Sequence, residues 1–263
     1  MRILFLGDIV GRPGMRAATE NMARLREEIG ADFIFVNGEN ANDGYGLKTK
    51  QAKKLFKAGV DGITGGNHIW AAKDLYNMLE SDGRILRPHN YAEHLPGTGV
   101  GIFKKAGLPP VAVINIIGRT FMPPIDCPFA AIETVLDEMS ADIPVQIVDF
   151  HAEATGEKIA MGYFLDGKVS AMVGTHTHVQ TNDAKVLPGG TAYLTDLGMC
   201  GAQDSCIGMK PEIILDRYLT GLPRQLEAAS GRGILQGAIF DIDDTTGRAT
   251  SMVTYQQDKT PLL

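Results

Sequence analysis

Four of the six histidines fall in three short stretches: Gly66-Asn67-His68, the lone His151, and Gly174-Thr175-His176-Thr177-His178. Two further stretches carry carboxylates in matching settings, Gly7-Asp8 and Gly38-Glu39-Asn40. Each comes after an apolar run that reads as a β-strand. Asp, Glu, Asn and His are the donors that oxygen- and nitrogen-preferring divalent metals take. No cysteine joins them, which argues against a structural zinc site. Ligands delivered by several strand ends describe a metal centre on the rim of a sheet, and the chemistry that suits such a centre is chemistry on phosphate.

Each residue alone has a plainer reading. Asp8 could cap a helix that starts near Pro13. Glu39 could be an exposed loop carboxylate, and Asn67-His68 a turn that the preceding glycines tighten. His151 could be a satisfied histidine at the edge of the core. His176 and His178 alternate with threonine, so in an extended segment both would face one side. A joint metal site explains all five stretches, whereas the plainer reading needs five separate coincidences.

The elements that must carry these residues alternate. Ile3 to Leu6 reads as a buried strand, and Ala18, Met22, Leu25 and Ile29 recur at helical spacing before Gly30. Phe33 to Val36 is a second strand, Lys48 to Ala58 a second helix, Val60 to Thr64 a third strand, and about Ile69 to Leu79 a third helix. This order implies parallel strands with helices packed on them. Further strands are expected over Val100 to Phe103, Val111 to Ile117, Val145 to Phe150 and Val169 to Val173. A helical stripe runs through Phe129, Ile132, Leu136 and Met139, and another helix lies near Pro211 to Leu219. Ile234 to Ile242 and Ala249 to Tyr255 form a closing hairpin through Asp243 to Gly247. Cys200 and Cys206 fall in what reads as a Gly-rich loop bordering the site. Lys48, Lys50, Lys53, Lys54 and Lys57 read as a solvated helix face.

With 263 residues the chain fits one large domain or a core with a small attachment. A net charge of −6 argues against a general grip on nucleic acid, so RNA is not predicted from charge. A small phosphorylated substrate stays compatible, because bound metals supply local positive charge. Three cysteines without framework spacing read as reduced thiols. The first apolar run is too short for a signal peptide or membrane span, so a cytoplasmic protein without membrane contact is expected.

The order Gly-Asp, Gly-Glu-Asn, Gly-Asn-His, His, Gly-Thr-His-Thr-His resembles the calcineurin-like metallophosphoesterases over most of the chain. It is most similar to their bacterial YmdB-like branch. The run Gly7-Asp8-Ile9-Val10-Gly11-Arg12-Pro13-Gly14 and the stretch Thr195-Asp196-Leu197-Gly198-Met199 point the same way. The resemblance implies an α/β fold, a two-sheet metallophosphoesterase sandwich flanked by helices. It would occupy residues 1–263 as a single domain, with any cap segments drawn from about 119–131 and 198–230. It implies two metal ions, iron foremost, with manganese or another divalent metal as alternatives. Asp8, Glu39, Asn40 and His178 would hold one; Glu39, Asn67, His151 and His176 would hold the other, with Glu39 bridging. His68 would be the catalytic acid. The activity implied is a phosphodiesterase acting on small cyclic nucleotides, 2′,3′-cyclic nucleotides foremost, and yielding 3′-nucleotides.

Three departures from the wider superfamily agree with that branch. Val10 stands where a ligating histidine is usual, with Asn40 as the substitute. Glu39 stands where aspartate is commoner. Ile69 comes after Asn67-His68 where an acidic residue would orient the histidine, so the group that orients His68 must come from elsewhere. Neighbours on a regular strand point to opposite faces, so Glu39 and Asn40 can share a centre only if their strand has already turned. A phosphomonoesterase or RNA-directed nuclease would use the same core. A regulator that binds nucleotide or RNA with little turnover is the competing class, and it would need no acid at His68.

Overall fold

The computed structural model describes residues 1–257. In chain order the first part comprises β1 (Arg2–Val10), α1 (Gly11–Ile29), β2 (Phe33–Asn40), α2 (Thr49–Ala58), β3 (Gly62–Thr64), α3 (Tyr76–Ser81) and β4 (Ile85–Leu86). The middle holds β5 (Val100–Phe103), β6 (Val111–Ile117), α4 (Pro128–Glu138), β7 (Val145–His151), α5 (Thr155–Leu165) and β8 (Ala171–Thr175). The remainder is β9 (Lys185–Val186), β10 (Ala192–Leu194), β11 (Met199–Ala202), α6 (Pro211–Thr220), β12 (Gly233–Ile234), β13 (Gln236–Ile242) and β14 (Ala249–Gln256).

These strands make two mixed sheets. The first runs β12-β11-β1-β2-β3-β4, with β13 and then β14 added beside the opening half of β1. The second runs β5-β6-β7-β8-β10-β9. β1, β2, β3 and β4 are parallel, as are β6, β7, β8 and β10. Their C-terminal ends therefore gather at one end of each sheet.

Side-chain alternation assigns three apolar layers. Ile3 and Phe5 of β1, Phe33 and Phe35 of β2, Val145 and Ile147 of β7, and Ala171 and Val173 of β8 meet between the sheets. Leu4, Leu6, Ile34 and Val36 point the other way, onto Ala18, Met22 and Leu25 of α1 and Leu55 of α2. Val148, Phe150 and Met172 meet Ile132 of α4 with Met161 and Leu165 of α5. Strands buried on both faces must be apolar at nearly every position, which is why these read as continuous runs. The expected two-sheet sandwich flanked by helices is the architecture found.

Several element boundaries differ from expectation. β1 and β2 continue through Asp8, Glu39 and Asn40 instead of stopping before them. The helix expected over Ile69 to Leu79 is a turn followed by a single 3-10 turn at Lys73–Leu75 and the short α3. The strand expected from Ile234 splits into β12, paired with β11, and β13, paired with β1. Sequence patterning did not supply α5, β10 or β11. Cys200 lies in β11 and is fully buried, not in a loop; burial pushes its thiol up to about 12, away from the reactive thiolate. No helix among the described residues is long and apolar enough to cross a membrane.

Candidate metal centre

The two apolar strands that begin the chain would, by strict alternation, aim Asp8 and Asn40 away from the second sheet. Two irregularities prevent this. Between Leu6 and Asp8, β1 advances two residues while β2 advances one, from Val36 to Asn37. Between Asp8 and Val10, β2 advances three residues, Asn37 to Asn40, against two in β1. Each bulge flips the facing of the residues beyond it. Asp8 and Asn40 thus join Glu39 in the cleft between the sheets. The bulge does what a turn was expected to do, and Glu39 and Asn40 remain in extended chain. Gly7 is required at the first bulge, since a Cβ there would lie 2.0 Å from the carbonyl oxygen of Gly198.

On the second sheet regular alternation suffices. Val145, Ile147, Asp149 and His151 share the inward face of β7, and His151 is its last residue. His176 and His178 come after β8, but not in extended chain: both are left-handed, with φ of 100° and 64°. Loop conformation, not strand alternation, brings both imidazoles to the cleft.

The groups converge. His151 Nε2 lies 3.0 Å from Asn67 Oδ1, 3.0 Å from His176 Nδ1 and 3.3 Å from Glu39 Oε1. Glu39, His151 and His176 offer ligand atoms that all fall within 4.8 Å of one another. A second set surrounds Asp8. His178 Nε2 is 3.8 Å from Asp8 Oδ1 and 3.1 Å from Asn40 Nδ2, which also donates to Glu39 Oε1 at 3.0 Å. Asp8, Glu39 and His151 are fully buried and Asn40 nearly so.

Three observations fit this cleft to cations. Asp8 Oδ1 is buried with no hydrogen-bond partner, which an unneutralised carboxylate would not tolerate. A Cβ at Gly66 would lie 2.3 Å from both Glu39 Oε2 and His151 Nε2, so the glycine keeps open the space between donors. The donor set is oxygen and imidazole nitrogen throughout. Electrostatics agree. Burial pushes the Asp8 carboxyl up to about 6 despite the pull of His178 and His151. Burial would lower His151, but Glu39 and Asp8 outweigh it and raise the imidazole to about 9. Burial and the neighbouring His151 push His176 down to about 3. Protons and any bound cation would compete for this concentrated pocket of negative charge.

His68 sits at the half-open side. Its backbone N–H donates to Glu39 Oε2 at 2.9 Å, and its Nδ1 lies 2.7 Å from Asn40 Oδ1. The ring of Tyr45 packs on it, centroids 4.3 Å apart. Asn40 and Tyr45 therefore orient His68 in place of the acidic residue that Ile69 replaces. Turning the Asn40 amide over exchanges its oxygen and nitrogen without changing its shape. One orientation accepts from the His68 imidazolium; the other presents a ligand oxygen toward Glu39 and His178.

Supporting residues lie deeper, and sequence patterning missed them. His151 Nδ1 is 2.9 Å from Thr175 Oγ1, which donates to buried Asp149 at 2.7 Å. Asp149 also accepts from Thr64 and, at 3.4 Å, from Asn37 Nδ2, joining both sheets beneath the cleft. Such outer contacts fix the tautomer of a ligating histidine. His176 Nε2 reaches Glu153 at 3.1 Å. Lys158 of α5 is fully buried; its Nζ donates to Asp196 at 2.6 Å and to the Thr175 carbonyl at 2.7 Å. Asp196 in turn accepts from the Thr177 N–H at 3.2 Å and hydroxyl at 2.7 Å. The pair grips the chain on both sides of His176. One signal was available for Asp149 and Asp196: a lone carboxylate within an otherwise largely apolar stretch.

The remaining motifs have structural roles. Asp241 pairs with Arg2, and Asp243 to Gly247 form the hairpin turn between β13 and β14. No side chain caps α1; Val10, not Asp8, occupies that position.

Comparison with known proteins gives a consistent picture. The model of a family described as YmdB-like protein matches residues 4–254. A Bacillus subtilis (strain 168) protein named 2′,3′-cyclic-nucleotide 2′-phosphodiesterase is 44% identical over 252 residues, 96% of this chain and 95% of that one. A crystal structure of a hypothetical protein from Thermus thermophilus superimposes with a TM-score of 0.91 at 40% identity, over 97% of this chain and 98% of that one. The structure of a novel phosphatase from Mycoplasma pneumoniae gives 0.91 at 33% identity, over 97% of this chain and 92% of that one.

Proposed function

The chain belongs to the YmdB-like family, and from that premise we propose that it is a metal-dependent phosphodiesterase that opens small 2′,3′-cyclic nucleotides to 3′-nucleotides. The observation that carries this reading is the convergence of donors from both sheets on buried Glu39, with His68 beside them at the half-open side. Asp8, Glu39, Asn40 and His178 would hold one cation, iron foremost. Glu39, Asn67, His151 and His176 would hold another, with Glu39 common to both. When bound, such a pair supplies positive charge for the phosphate oxygens and acidifies water at neutral pH.

The chain's own residues do the rest. Asp149, Thr175 and the Lys158–Asp196 pair hold the histidines in place before substrate arrives. Asn40 and Tyr45 hold the His68 ring. While the Asn40 oxygen accepts from Nδ1, and so is turned away from the cation, Nε2 is the atom that gives a proton to the departing 2′ oxygen, a poor leaving group as an alkoxide. Burial lowers the His68 pKa against the opposing pull of Glu39, so the proton is more readily given up.

The test is to quantify metals on the purified protein and assay 2′,3′-cyclic nucleotides, 3′,5′-cyclic nucleotides and a simple monoester together. His68→Ala should keep its metals and lose about 10²–10⁴ in turnover. Full activity in that variant removes the acid role. A wild-type protein that binds metal and hydrolyses none of these substrates is instead a metal-dependent nucleotide-binding regulator.

A further inference from the structure

Tyr45 is 59% exposed, at the edge of the cleft on a tightly bonded loop. The loop leaves the end of β2 and closes on itself. Gly44 N–H donates to Asn40 O at 3.0 Å, Asn42 N–H to Gly46 O at 2.8 Å, and Tyr45 N–H to Asn42 O at 3.0 Å. The Asn42 side chain donates to Tyr45 O at 3.2 Å. Gly44 and Gly46 are left-handed, with φ of 92° and 88°. A side chain at either would be strained at that φ, and crowded as well: a Cβ would lie 2.6 Å from the flexible end of Met209 and 3.0 Å from Ala71 Cβ, respectively. The ring is therefore presented by a rigid frame, part of it packed on His68 at 4.3 Å and most of it facing solvent.

The chemistry of a cyclic nucleotide says what belongs there. The 2′ carbon is bonded to the 1′ carbon, which carries the base. A group that flanks the acid protonating the 2′ oxygen is therefore within reach of that base. Aromatic rings fixed in advance bind bases with little further loss of conformational freedom, and stacking is tolerant of base identity. Resting on the proposed phosphodiesterase function, we propose that Tyr45 is the platform on which the substrate's nucleobase stacks. It is a binding residue in addition to orienting His68.

The test compares adenosine 2′,3′-cyclic phosphate with glycerol 1,2-cyclic phosphate, which has the same five-membered ring and no base. The quantity read is the ratio of their kcat/KM values, with metal content measured for every variant. Tyr45→Ala should lower that ratio about tenfold, mainly through the KM of the nucleotide, and Tyr45→Phe should keep it, because stacking needs the ring and not the hydroxyl. An equal fall for both substrates in Tyr45→Ala overturns the proposal and leaves Tyr45 only as a support for His68. So does a loss of selectivity in Phe121→Ala but not in Tyr45→Ala, since Phe121 presents another exposed ring, on the loop after β6. Wild-type protein that hydrolyses both substrates equally well overturns the platform alone. Wild-type protein that hydrolyses neither removes the functional reading and the platform with it.

Discussion

Gly66 shows how much of the centre is defined by absence of a side chain. It lies between Glu39 and His151, where any Cβ would come within 2.3 Å of both donors. Gly66→Ala should therefore fold, since only the loop after β3 is disturbed, yet lower metal affinity by about 10–100-fold. Metal stoichiometry together with far-ultraviolet circular dichroism checks this; unchanged metal content would show that the cleft has room to spare. The proposed donors were legible as candidates because their types are chemically distinctive and most sit beside glycine or at a strand end. Asn40 was legible only through its neighbour Glu39, and the bulge that turns it inward leaves no mark in residue type. The supporting roles of Asp149, Thr175, Lys158 and Asp196 were not legible, although Thr175 and Asp196 lie within stretches that the sequence singles out. One buried aspartate in Val145–His151 looks like any polar interruption until its inward face and its partners across the two sheets are known.

At the scale of elements, α5 escaped the sequence pattern because its buried face is narrow: Lys158, Met161, Gly162 and Leu165. Lysine hides the stripe, and Gly162 is there because Tyr193 packs where a Cβ would be. β11 escaped for a different reason. Its four residues become a strand only by pairing with β1 and β12, distant in sequence, and strand preference depends strongly on such context. α5 nevertheless supplies the buried cation that fixes the His176 loop. Replacing one member of a fully buried ion pair leaves the other charge without compensation, a destabilisation of about 3–5 kcal/mol. Lys158→Met should show that loss in urea unfolding. It should also weaken metal binding, because the Thr175 carbonyl and Asp196 lose the donor that ties them together. A variant with wild-type stability and metal affinity would mean that the loop holds its left-handed conformation unaided.

For the molecule as a whole, the proposed ligand set divides between the two sheets: Asp8, Glu39, Asn40 and Asn67 belong to strands of the first or the loops after them, His151, His176 and His178 to those of the second. Cations held between them tie the sheets together, so bound metal should stabilise the fold. At a free concentration one hundred times the dissociation constant the gain is about 2.7 kcal/mol, which for a chain of this size raises Tm by roughly 5–11 °C. The gain should depend on pH with a definite sign. In chelated protein the folded-state pKa of His151, about 9, lies above its ordinary 6.5. The stability that its proton contributes is fully present below pH 6.5 and is lost as pH rises through 9. Asp8, raised from 3.8 to about 6, behaves alike over a lower window. Metal-loaded protein needs both groups deprotonated. The difference in Tm between loaded and chelated protein should therefore be smallest near about pH 5 and widen up to about pH 9. Calorimetry of both forms across that range decides it: a constant or narrowing gap would mean that cations do not displace the protons of His151 and Asp8, and that these residues are not the ligands.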